Sequence, residues 1–144
     1  MVYLLILLGL AVVVAPLVSA MPSKAQRAKA ALRDQAGVHD LRVRLRPIPV
    51  VPARFRFEPE GELACYERRF PVSNQKSAGE AHYLCIDGQW LPTTGVEDAP
   101  DWLHYLPLGA AYVECRDESI SIFWDEKAGS QGLAKICQAI DSIV

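Results

Sequence analysis

Residues 2–20 carry no charge and no repeating polar position, a run of Leu, Ile, Val and Ala broken by few other residues. A segment that is apolar all round predicts a helix with no solvent face. At ~1.5 Å per residue it reaches roughly 28 Å, close to the apolar thickness of a bilayer. Pro16 is expected to break that helix near its end. The pattern then changes sharply. Ser23 and Gln26, three residues apart, have the form of a capping box. Residues 24–36 are good helix formers, and Gly37 is placed to end the run. The apolar face of this second helix is thin: Ala25, Ala28, Leu32 and Ala36. Next comes alternation. Leu41, Val43 and Leu45 fall on one face, against Arg42, Arg44 and Arg46 on the other, which predicts a half-buried strand with an arginine outer face. Pro47, Pro49 and Pro52 interrupt any ladder and mark an edge or connector.

Further strands are predicted over 54–57 and 63–70, with a turn at Pro59-Glu60-Gly61 and a polar loop over 73–79. Asp87-Gly88 lies between two β-prone runs, 82–86 and 89–91, and supplies the positive φ angles of a tight hairpin. A second hairpin is expected from 111–115 and 119–124, turning at Arg116-Asp117-Glu118. Between the hairpins, Ala99-Pro100-Asp101 opens a short helical turn. Residues 130–144 close the chain as a helix with Ser130 as its N-cap and Leu133, Ile136, Cys137, Ile140 and Val144 on one apolar face. Together these elements predict an α+β fold: an N-terminal transmembrane helix, a basic connector helix, then a small antiparallel sheet covered by a C-terminal amphipathic helix. The corresponding units are a transmembrane anchor at 1–21, a basic juxtamembrane helix at 22–37 and a soluble α+β domain at 38–144.

Charge divides the chain along the same lines. Residues 21–46 hold seven positive and two negative side chains, +5, while 47–144 hold eight and fifteen, −7. A basic neck on an acidic body suits an anionic lipid surface at the neck, with Lys24, Arg27, Lys29 and Arg33 at the headgroups. The acidic body argues against nucleic acid as a partner. The connector helix is open to two readings, a solvated spacer or a helix lying against those headgroups. No Lys or Arg precedes the apolar run, so the positives after it hold the C-terminal flank in the cytoplasm and send the N-terminus outward. Val18-Ser19-Ala20 has the small-x-small form of a cleavage region. The alternative is therefore an exported, disulfide-stabilised periplasmic binding domain with a signal peptide ending at Ala20. A start at Met21 would remove the segment altogether.

Chemistry is sparse. Cys65, Cys85, Cys115 and Cys137 are separated by 20, 30 and 22 residues, without the close spacing of a zinc knuckle or redox dithiol. They are expected as buried thiols. His39, His82 and His104 are scattered through different elements, and the pairs Glu97-Asp98, Asp117-Glu118 and Asp125-Glu126 read as solvated turn residues. Gly129-Ser130-Gln131-Gly132 is neither a Walker A loop nor a dinucleotide fingerprint. Trp90, Trp102 and Trp124 are expected in the core or at its edge. No residue is assigned to catalysis, to a cofactor or to a metal. A non-enzymatic membrane protein with a cytoplasmic interaction domain is the expected function.

The apolar span followed at once by "MPSKAQRAK", with Pro22, Lys24, Arg27 and Lys29, resembles bacterial single-pass membrane proteins often labelled YajC-like preprotein translocase subunits. The resemblance covers about the first 35 residues. Downstream, "DWLHYLPLGAAYVEC" leading to "ISIFWDE" and a final amphipathic helix resembles an uncharacterised membrane-anchored family carrying that label. It implies a bacterial inner-membrane location and a membrane-protein partner, and brings no site residues.

Overall fold

Six strands follow two helices and precede a third in the computed structural model, which describes residues 1–57, 61–71, 80–94 and 98–143. In chain order these are α1 (Val2–Ser19), α2 (Lys24–Val38), β1 (Arg42–Pro47), β2 (Glu62–Arg69), β3 (Ala81–Ile86), β4 (Gln89–Pro92), β5 (Ala110–Cys115), β6 (Ser119–Trp124) and α3 (Gly129–Ile143). The strands pair antiparallel throughout, in the order β1-β2-β6-β5-β3-β4, and the fold is α+β. Residues 58–60, 73–79, Glu97 and Val144, named above in turn, loop and helix expectations, lie outside the described residues.

Every residue of α1 is exposed and none joins the core. Pro16 does not end it: the helix continues to Ser19. One proline forfeits a single helical hydrogen bond. The last turn is held by Ala20 N–H donating to the Pro16 carbonyl at 3.0 Å and by the Ser19 hydroxyl donating to the Ala15 carbonyl at 2.9 Å. The capping box of α2 forms as predicted, with Ser23 N–H on Gln26 Oε1 at 2.8 Å and Gln26 N–H on Ser23 Oγ at 3.2 Å. Gly37 does not stop α2, which runs on to Val38. The chain turns instead at Asp40, φ +59°, because Asp tolerates the left-handed region and no glycine is needed there.

Two-residue periodicity sorts the strands into two faces. Val43, Ala64, Tyr66, Val113, Ile120, Ile122 and Trp124 share one cluster with Leu32 and Ala36 of α2 and with Leu133, Ile136, Cys137 and Ile140 of α3. A Cβ on Gly132 would sit 2.5 Å from the Trp124 ring, so this glycine lets α3 approach β6. The other face carries Cys65, Leu84, Tyr112 and Phe123, covered by Ile48, Val51, Phe55 and Phe57. That cover replaces the strand expected over 54–57: Ala53–Phe55 is a 3₁₀ turn and Arg56 sits at φ +49°. Three prolines strip donors from the segment, so its aromatic and aliphatic side chains plug the face rather than extend the ladder.

β1 departs from its expected alternation at one end. Leu45 is 55% exposed, because the helical layer covers Leu41 and Val43 and stops short of it. On the supposed outer face, Arg46 is not free in solvent; its guanidinium lies 5.7 Å from the centre of the Phe123 ring. Both hairpins form. Asp87 and Gly88 take φ +51° and +78°, the two positive angles of a two-residue turn, and Arg116 N–H closes the second turn on the Ser119 carbonyl at 2.8 Å. α3 begins at Gly129, φ +62°, one residue before the expected cap. The Ser130 hydroxyl donates to Gln35 Oε1 of α2 at 3.3 Å rather than capping the helix.

Candidate functional site

Two places concentrate charge, one at the start of α2 and one on the sheet. α1 is 18 residues long with mean hydropathy 2.7, and it is the one helix among the described residues long and apolar enough to cross a membrane. A signal sequence near an N-terminus has the same properties. Four residues, 20–23, separate it from α2. Lys24, Arg27 and Lys29 are exposed on the first half of α2, while Leu32 and Ala36 in its second half are buried. The segment 22–37 is thus solvated at one end and part of the core at the other.

Arg33 stands apart from the other three cations. Its Nε donates to Glu126 Oε1 and its Nη2 to Oε2, each at 2.8 Å, and Tyr66 OH donates to Glu126 Oε1 at 3.0 Å. The Glu126 side chain is only 3% exposed, so the expectation of a solvated turn residue fails here. Its neighbour Asp125 does behave as a turn residue, accepting the Lys127 N–H at 3.0 Å. Glu126 takes φ +61° between β6 and α3, and its side chain closes on Arg33 and Tyr66. Burial pushes the Glu126 carboxyl up, but the bonds from Arg33 and Tyr66 and the charges of Arg33 and Lys29 outweigh it and leave it below its ordinary value. The bond to Glu126 raises Arg33 in turn, and burial raises the Tyr66 phenol. The result ties α2 to β2 and to the β6–α3 turn through a two-pronged, charge-assisted contact.

The second place lies on the sheet face away from the helices. Arg42, Glu67, Ser121, Glu114 and His82 are successive register partners on five neighbouring strands, so they form a polar row. Glu114 and Ser121 within it are buried. Glu114 Oε1 accepts from Arg116 Nε at 2.9 Å and also from Arg116 Nη2. The same Nε faces Glu80 Oε1 at 3.3 Å. His82 Nδ1 is 2.7 Å from Tyr112 OH. The Thr93 N–H and hydroxyl both donate to the His82 carbonyl, at 2.8 and 3.2 Å, and Thr93 is a further partner of the Tyr112 phenol. Glu80, His82 and Glu114 bring one donor atom each to within 4.8 Å of one another.

Sequence reasoning assigned none of these residues to a site. One signal was present: Glu80, just ahead of the β-prone run, is two residues from His82, the spacing at which side chains of an extended chain share a face. What the local pattern lacks is the pairing of β3 with β5, which sets Glu114 opposite His82.

The four cysteines are free thiols. Ala81 is the cross-strand partner of Cys115, which leaves Cys85 four residues along the ladder, roughly 13 Å away at ~3.3 Å per residue. A disulfide spans less than about 7 Å between Cα atoms. Cys65 lies in the cluster on the opposite face from Cys115 and Cys137. Burial pushes all four thiols up, Cys115 to about 12, so none is activated toward nucleophilic attack. The tryptophans are core and core edge, Trp124 fully buried and Trp90 and Trp102 packed beside it in the same cluster. No protein-family model, curated protein or solved structure matches the chain.

Proposed function

We propose that the chain is a single-pass inner-membrane protein whose cytoplasmic α+β domain is a non-enzymatic interaction module, accessory to a membrane-protein complex. One observation carries this reading: an apolar helix of membrane length joins, through four residues, a helix whose far end is built into the core of the domain. A domain tethered so closely is held at the membrane surface rather than displayed on a flexible stalk. Lys24, Arg27 and Lys29 then meet anionic headgroups, at about 1 kcal/mol per cation. Arg33 contributes to orientation by its charge, while its guanidinium stays on Glu126. The positives after the span favour a cytoplasmic domain, and four free thiols, Cys65 and Cys137 of them buried, suit a reducing compartment. The resemblance of the first 35 residues to YajC-like subunits supports a membrane-protein partner.

A reporter that is active only in the cytoplasm, fused after Val144, is expected to be active, and activity of a periplasm-only reporter at the same point would overturn the topology. Moving the three free cations ahead of Val2, with Arg33 kept, should invert the protein. The intact mass of the membrane-bound chain separates an anchor from a cleaved leader: recovery of a chain beginning at Met21 would sink the anchor.

A further inference from the structure

We propose that Glu80, His82 and Glu114 bind a divalent transition-metal ion, and that Arg116 is the charge this ion displaces. The site goes beyond the membrane reading and does not depend on it. Glu80 immediately precedes β3 and His82 is the second residue of that strand, two apart and so on one side of the extended chain, and Glu114 of β5 is the register partner of His82. Their donor atoms lie within 4.8 Å. Bonds of ~2.0–2.2 Å to a shared ion place ligand atoms roughly 3–3.5 Å apart, so side-chain rotations of about an ångström close the site on a fixed sheet.

Each ligand has a distinct support. The Glu114 side chain is 4% exposed and forms the floor, and Glu80 at 61% is the solvent-side arm. His82 is held by Tyr112 through Nδ1 and its backbone by Thr93, leaving Nε2 for the ion, the kind of outer contact that orients a metal-bound imidazole. One imidazole and two carboxylates suit Zn²⁺, Mn²⁺, Fe²⁺ or Co²⁺, and lack the thiolates that select Cu⁺. Charge balance points the same way. Two carboxylates face one guanidinium, so a divalent ion compensates them better than Arg116 does. Arg116 is 54% exposed, and both of its bonds to Glu114 fall on the single oxygen Oε1. It can leave for solvent at little cost.

The test uses the full-length protein in detergent, stripped of metal by chelator, titrated with Co²⁺ and then Zn²⁺. One equivalent of Co²⁺ is expected to give visible d–d bands that Zn²⁺ removes. Glu80→Gln and His82→Gln should each weaken binding at least tenfold, and Arg116→Gln should strengthen it, with circular dichroism reporting that each variant is folded. Glu80 is exposed, so its variant keeps the test decisive if His82→Gln does not fold. No uptake at one equivalent, wild-type affinity in folded Glu80→Gln or His82→Gln, or thiolate charge-transfer bands from the cysteines would each overturn the site. Unchanged or weaker binding in folded Arg116→Gln would overturn the displacement.

Discussion

Two buried carboxylates, Glu126 and Glu114, each face an arginine, yet the two pairs do different things. Glu126 is met by Arg33 from 93 residues away, through both oxygens, with Tyr66 as a third partner. Glu114 is met by Arg116 from two residues away, in the turn that follows its strand, through one oxygen. The first pair joins α2 to the β6–α3 turn and, through Tyr66, to β2, so it exists only when the tertiary structure does. The second is local and costs the chain little ordering, since residues two apart are already neighbours. Exposure matches this division, 33% for the Arg33 side chain and 54% for Arg116. A cation used as a fastener is bidentate and far in sequence. A cation used as a replaceable counter-charge is near in sequence and half in water.

The largest effect should come from Arg33→Met, which leaves Glu126 buried without its cation. Losing one partner of a buried pair costs about 3 kcal/mol or more, and a fall of that order is expected in thermal or denaturant melts of the full-length protein. Its pH dependence sharpens the comparison. The folded Glu126 carboxyl lies below its ordinary value of 4.5, so its contribution is fully present above about pH 4.5 and is lost as pH falls through the folded value. The gap between wild type and Arg33→Met should therefore narrow as pH falls and Glu126 is protonated, first in the variant, where burial acts on the carboxyl without Arg33. A gap independent of pH would mean that Glu126 is not the group responsible. Arg116→Gln comes next, at about 1 kcal/mol, the low end for a buried acceptor losing a charged donor that was itself half solvated. Should it cost as much as Arg33→Met, the distinction between fastener and counter-charge fails. Glu80→Gln is the smallest. Its contact with Arg116 is exposed at both ends, so melts without added metal should shift by less than about 0.5 kcal/mol.

The same contrast explains what could be read in advance. Ser23 with Gln26, Asp87-Gly88 and the apolar positions Leu133, Ile136 and Ile140 are local signals, and the capping box, the hairpin and the covering helix all formed where they were expected. Residues 54–57 misled because Phe55 and Phe57 are β-prone in isolation. Only the Tyr112 and Phe123 rings on the far sheet face, buried beneath this segment, give them something better to cover than a strand edge gives. Glu126 was indistinguishable from Asp125 in sequence, and a left-handed backbone at Glu126 together with an arginine 93 residues earlier made one buried and the other a turn residue.

By itself the sequence determined the apolar span, the basic neck, the α+β order and most turns, because each follows from spacing within about ten residues. Tertiary structure decided which cations are free and which are fastened, and which acidic residues meet a histidine. Those outcomes depend on strand order, and the placement of β6 between β2 and β5 brings together residues that no local pattern relates.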